Sequence, residues 1–492
     1  MTSSAKPLQN DFQSFAEDAV GKVAGLQDIQ ALVDADATIQ AESSSASSAS
    51  SENVSGSSAA VSTTESNQAI GESTSGASSI EVKADAGLQG VASSTASSSA
   101  STSNGIAEAF TEMGEGLGVS LTKLDVGGEL SGLGQSSNSL SADSESVTGD
   151  STATSGLTRS IQGFNSEIQN TIDSDASIQG LAQLVNNASA ASTGTSIAPS
   201  SATAIADANK LQGADLGFDS DIGGVADIGG QVDFNATASS TNVTGSAAAG
   251  ASLGDITTPV VVPEITGDVS ATLSTLAAAG ALDLSSGVIG GTAEGLITAN
   301  DQSDGTYGTD IKSDGTLQGF ANLSTTADAS TTDGAASAGA YANSIDGASL
   351  GDINIGGVGA ISGSANFAGS ASSSNVGDAA GDVSAAASQL NNIDGLSATD
   401  GMYVASDAGI NGLAAVDLGS SAGSTSGQAA IASSKAGTLQ GAGLGDTTIG
   451  GVGSVAGETS LTSGAASSNV TGQAISLNGL TTAAGLDLGT EA

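Results

Sequence analysis

Ser120-Leu121-Thr122-Lys123 is the one stretch spaced like a nucleophile motif. A serine with a lysine three residues on can serve as nucleophile and base. In a chain this rich in Ser, seven lysines produce one such match by chance, so the reading is not catalytic. Asp219-Ser220-Asp221-Ile222-Gly223 begins like a calcium loop. Such a loop needs flanking helices and a bidentate Glu at its twelfth position. That position is Gly230, so the motif fails. The Gly-Gly-x-Gly-x-Asp nonapeptide of calcium-binding β-rolls is not matched either, since Gly356-Gly357-Val358-Gly359-Ala360-Ile361 lacks the Asp. Asn53-Val54-Ser55, Asn242-Val243-Thr244 and Asn469-Val470-Thr471 are formal glycosylation acceptors. They read better as turns, because Asn caps turns and tolerates left-handed backbone.

The chain contains no His, Cys or Trp. That removes imidazole triads, thiol nucleophiles, disulfides and the usual zinc and copper sites. Paired carboxylates could still cleave glycosides, but no aromatic platform exists to hold a sugar ring. The chain therefore reads as non-enzymatic, with no catalytic, cofactor or metal residues and no cofactor beyond weak, non-specific divalent cation binding. The last follows from 52 acidic against 8 basic residues, a formal charge of -44. The basic residues, Lys6, Lys22, Lys83, Lys123, Arg159, Lys210, Lys312 and Lys435, form no cluster. Nucleic acid and anionic membranes need clustered positive charge, so neither is an expected partner. No apolar run is long enough for a transmembrane helix, and no secretory signal opens the sequence.

Repeats organise the remainder. Ile222-Gly223-Gly224-Val225 recurs as Ile355-Gly356-Gly357-Val358 and Ile449-Gly450-Gly451-Val452. Twenty residues after each first Ile stands Asn-Val: Asn242, Asn375 and Asn469. With the weaker copies at Asn53 and Ser146, the landmarks lie 93, 96, 133 and 94 residues apart. A second landmark, Asp85 to Ala92, returns from Asp175, Asp314 and Asp407. The unit is about 94 residues, and the long interval carries an insertion of about 40 near residues 250–300.

After each Gly-Gly the residues alternate. Ile228, Gly230, Val232 and Phe234 share one face; Gly229, Gln231, Asp233 and Asn235 share the other. Period two marks a half-buried strand, and a Gly within its apolar face lets another backbone or a bulky neighbour approach. The fold expected is mainly β: an elongated repeat array, a β-solenoid over residues 41–492. Coils of 18–20 residues, five per unit, would give about 26 coils and a rod of about 120 Å. A string of five β-sandwiches competes with this, but eight Phe and three Tyr in 492 residues give it little to build cores from. Disordered low-complexity chain also competes, and it suits Ala41 to Ser66 and Ser93 to Ser103. Residues 1–40 read differently. Phe12, Phe15, Ala16, Ala19, Val20, Val23, Ile29, Leu32 and Val33 follow helical spacing, which predicts a short N-terminal amphipathic helix over about residues 8–34, interrupted at Gly25. It would cap the array or attach it.

In composition and repeat style, residues 40–490 resemble Gly/Ala/Ser-rich acidic surface proteins of bacteria: β-solenoid adhesins and matrix fibres, and also the shafts of phage tail fibres. The resemblance implies a structural or adhesive protein of a cell surface or extracellular matrix that self-associates or contacts surfaces and inserts in no membrane. It would be extracellular, with an uncleaved C-terminal export signal in Ile475 to Ala492. The alternatives are a virion fibre component and a largely disordered secreted protein.

Overall fold

The computed structural model describes residues 22–488, apart from 28–29, 34, 72–78, 196–198, 217–219, 254, 257–287, 290–291, 299–308, 378–381, 390–391, 399–400 and 426–428. Among these residues there is no helix, and nearly all belong to parallel strands. The protein is a β-solenoid of two facing parallel sheets.

Nine long strands stack in register to form one sheet: Ala37–Asn53, Ala86–Asn104, Leu130–Thr148, Ala176–Ser192, Ala226–Leu253, Gly315–Asp333, Gly359–Asn375, Ala408–Ser424 and Gly453–Asn469. The fifth continues through the far turn into the opposite sheet. Return strands such as Ser58–Gly71, Ala107–Val126, Ser151–Ile172 and Ala430–Leu444 form that second sheet, with short strands such as Thr309–Ile311 and Ile353–Ile355 at its near end.

The register corrects the expected coil length. Ala37 lies beside Ala86, Ala86 beside Leu130, Gly315 beside Gly359 and Gly359 beside Ala408. One coil is thus 44 to 49 residues at these steps, and the 94-residue unit is two coils, not five. The alternation at Ile228 to Asn235 belongs to the unbroken strand Ala226–Leu253, and its equivalent Gly359–Asn375 runs for 17 residues, where a short-coil solenoid would have turned. Nine coils at about 4.8 Å stack to about 43 Å, not 120 Å, and each long strand spans about 56 Å. The five-sandwich arrangement is excluded by the continuous ladder. The stretches Ala41 to Ser66 and Ser93 to Ser103, which suit disorder by composition, fall in the strands Ala37–Asn53, Ser58–Gly71 and Ala86–Asn104 and the turn between the first two.

The insertion is located by the register as well. Ala208 pairs with Leu253 and Lys210 with Thr292, so two positions in one coil become 39 in the next. The inserted segment leaves and returns through an antiparallel pair, Asp255–Ile256 with Val288–Ile289. The helix expected over 8–34 is corrected where it is described: Lys22–Gln27 and Gln30–Val33 are strands paired with Ser66–Gly71 and Ser79–Val82. Stacking against an existing strand overrides helical spacing. The rest of that expectation, residues 1–21, lies outside the described residues.

Glycine sets how closely the sheets approach. Gly90, Gly134, Gly180, Gly230, Gly319, Gly363, Gly412 and Gly457 occupy one position of the long strands. Opposite them run Gly118, Gly163, Gly213, Gly347, Gly395, Gly441 and Gly485. A Cβ added to Gly319, Gly363 or Gly412 would lie 1.9 Å from the carbonyl oxygen of Gly347, Gly395 or Gly441. The two backbones therefore touch along a seam, as an apolar-face glycine allows. The seam divides the interior. On the near side lie Ile178, Ile228, Leu317, Ile361 and Ile410 with Ile172, Ile222 and Ile355. On the far side the filling is mostly Ala. Pinched sheets leave room there for small side chains, and buried hydroxyls bond to each other across the gap: Ser98 to Thr111 (2.8 Å), Ser144 to Ser151 (2.7 Å) and Ser192 to Ser200 (2.6 Å).

Candidate functional surface

The near turn explains both sequence landmarks. Successive coils alternate between an Asp turn and a Gly-Gly turn: Asp85, Gly127-Gly128, Asp175, Gly223-Gly224, Asp314, Gly356-Gly357, Asp407, Gly450-Gly451. Oδ1 of each Asp accepts the backbone N–H that follows the next coil's Gly-Gly. The donors are Glu129 (2.9 Å), Val225, Val358 and Val452 (2.7 Å each). A Cβ on Gly128, Gly224, Gly357 or Gly451 would stand 2.1 to 2.3 Å from that carboxylate oxygen. These glycines are required by close approach. The carboxylates are committed to structure.

The far turn holds the glycosylation-like triplets. Asn53, Asn375 and Asn469 end long strands, Asn242 holds the same register position within Ala226–Leu253, and each Oδ1 accepts the N–H two residues on (3.1 to 3.2 Å). Asn242 Nδ2 also donates to the carbonyls of Ser200 and Ser246. Of the three triplets' Asn residues Asn242 is buried, which removes it from the reach of a modifying enzyme in the folded state. The positive φ of this turn falls on glycine, as at Gly245 (φ 127°), and not on Asn.

The remaining sequence candidates are dispersed. Ser120 is buried, while the Lys123 ammonium lies 3.6 Å from Asp125 at the surface. Asp219 lies outside the described residues. Asp221 instead binds Lys312 (2.7 Å), and this contact raises the Lys312 pKa, chiefly through the hydrogen bond.

Sequence reading missed the main surface feature, an axial trough on the outer face of the long-strand sheet. It crosses eight coils, has a volume of about 730 Å³ and runs for about 35 Å. One wall is a chain of hydrogen bonds parallel to the axis. Ser137 donates to Gln183 Oε1 (3.0 Å), Gln183 Nε2 to Asp233 (3.2 Å), Asn322 Nδ2 to Asp233 (3.4 Å) and Asn366 Nδ2 to Asn322 Oδ1 (2.8 Å). Gln231 Nε2 adds a third donor to Asp233 at 2.7 Å. The opposite wall carries Thr95, Ser139, Asn235 and Ser324, and beneath lie the inward-turned Leu184, Phe234, Leu323 and Phe367. The trough is mostly neutral, amide and hydroxyl above and aliphatic or aromatic below. It can hold an extended chain by hydrogen bonding but presents no acid–base pair. The only sequence signal was the alternation; that eight such strands align their polar side chains becomes visible only with the coil register, whose steps are 44 to 50 residues and 89 across the insertion. A second, acidic depression of about 490 Å³ runs beside the near turns, lined by Asp36, Asp85, Glu129, Asp175 and Asp227.

Two buried groups stand out. Asp394 has an unpartnered, buried Oδ1, and burial raises its pKa to about 6. It lies beside Asp346 in the preceding coil and Gln440 in the following one. The Tyr341 hydroxyl is buried without a partner, and burial pushes its pKa up. No protein-family model, curated protein or solved structure matches this chain.

Proposed function

We propose that the protein is a non-enzymatic structural and adhesive component of a cell surface or extracellular matrix. The axial trough supports this reading most. A long groove with neutral hydrogen-bonding walls fits prolonged contact with an extended polymer or a repetitive surface. The carboxylates nearest to order, those of the near turns, hold backbone and are not poised for proton transfer. Most of the charge stays outward, which favours solubility and function in cation-rich surroundings. The test is twofold. Protease shaving of intact cells, with immunolabelling, should find the protein at the surface or in matrix. Cells carrying Asn322→Lys with Asn366→Lys, which fill and charge the trough, should attach less than wild type. Retention inside cells, or incorporation into virions, would refute the location. Unchanged attachment would refute the trough's part in it.

A further inference from the structure

Among the described residues, both ends of the solenoid are open, and their long strands are in matching register. Among the described residues, no strand pairs with the outer side of Thr447–Ile449, Gly453–Asn469 or Ala474–Leu488. The same is true of the outer side of Lys22–Gln27, Gln30–Val33, Ala37–Asn53 and the first half of Ser58–Gly71. The half-covered members of the two cores sit at these rims: Ala37, Ile39, Ala41 and Ala49 at one end, Ile449, Val455, Leu461 and Ala465 at the other, with Ile39 and Ala49 at positions equivalent to Val455 and Ala465.

We propose that copies of this chain stack head to tail, residues 447–481 of one copy pairing with residues 30–65 of the next in parallel register. Carrying the register from coil to coil sets Val33 on Ile449, Ala37 on Gly453, Ile39 on Val455, Ala49 on Ala465, Asn53 on Asn469 and Ser58 on Ala474. Lys22–Gln27 does not share in this pairing: Leu26 lies nine rows from Leu486 in the second sheet, whereas Ile39 lies eight from Val455 in the first, so 22–27 of the next copy would fall in the row that 482–488 fills, and one of these two end segments must give way. The turn order also continues. Every interior Gly-Gly coil is followed by an Asp coil, with the bond Ala226 N–H to Asp314 O (2.9 Å) or Gly359 N–H to Asp407 O (2.9 Å). Gly453 N–H would meet Asp36 O in the same way. Natural edge strands are usually blunted by Lys, Pro, bulges or a covering element. Residues 445–488 contain no Lys, Arg or Pro. The contact is heterologous, so it does not close and generates a filament.

One juxtaposition opposes stacking. Glu42 falls on Glu458, both exposed. Salt should therefore promote assembly.

The inference rests on the structural reading above, but surface location with a monomeric protein would defeat stacking alone. The experiment is sedimentation velocity and negative-stain imaging of the full chain across concentration, in low and high sodium chloride. Expected are particles that lengthen in one dimension, more so at high salt. Glu458→Gln should tighten assembly about two- to fivefold. N–H groups alternate sides along a parallel strand, so those of Thr459 and Ala465 point away from the body, like that of Gly453. Thr459→Pro with Ala465→Pro removes two outward donors and no internal bond. That variant should keep wild-type circular dichroism and stay monomeric. A wild-type chain monomeric at every concentration and salt, particles that only bundle sideways, or a proline variant that assembles as well as wild type would each overturn the proposal.

Discussion

Gly363→Ala tests whether the glycine seam holds the sheets together. The new Cβ would stand 1.9 Å from Gly395 O and 2.8 Å from its carbonyl carbon, well inside ordinary contact. Gly363 cannot retreat alone, because Gly319 and Gly412 flank it in the same ladder and press on Gly347 and Gly441. Forcing a methyl into a filled core costs about 1–3 kcal/mol. Restricting the unfolded chain returns about 0.4–1 kcal/mol. The net expectation is a loss of about 1–2 kcal/mol. Gly409→Ala is the control, since nothing lies within 4 Å of a Cβ there. It should gain about 0.4–1 kcal/mol. Urea unfolding followed by circular dichroism measures both, and hydrogen exchange around Gly395 and Leu396 should quicken in Gly363→Ala alone. If both variants shift the midpoint equally, or Gly363→Ala stabilises, the sheets do not touch and the seam argument fails.

Removing two coils, residues 376–469, keeps the Asp and Gly-Gly turns alternating and should leave a folded, shorter particle. Removing one coil, 376–424, also keeps strand register but deprives Val452 N–H of Asp407; it should fold about 1–3 kcal/mol weaker, and equal melting of the two deletions would refute the turn-capping role. Burial holds the folded Asp394 pKa at about 6, above its ordinary 3.8. The folded state then binds more protons than the unfolded one between these values, so this group's contribution makes stability fall as pH rises from about 4 to 6. Asp394→Asn should raise the urea midpoint at pH 7 and change it little at pH 4; an equal change at both would refute the assignment. Tyr341→Phe removes a buried, unpartnered hydroxyl and should be neutral or stabilise by about 1 kcal/mol; a clear loss in thermal unfolding would mean that the hydroxyl has a partner.

The strand pattern was legible because period two is a local property: Ile228, Gly230, Val232 and Phe234 alternate whatever they pack against. The unit spacing was legible too, since Asn242, Asn375 and Asn469 cap the same turn in the same way. Solenoid packing followed from composition, because a core filled by Ala and Ser must be thin. The coil length was not legible. Two unlike turns, one with Asp and one with Gly-Gly, occupy the same place in successive coils, so the sequence repeats only after two. Their equivalence lies in a hydrogen bond from one coil to the next, as between Val358 N–H and Asp314. The strands at 22–33 were hidden for a related reason. Spacing there favours a helix, and only the waiting edge of Ser66–Gly71 and Ser79–Val82 decides for strand. The trough and the open rims likewise belong to the stack: a row of Gln183, Asp233, Asn322 and Asn366 exists only once residues 44 to 89 positions apart stand side by side.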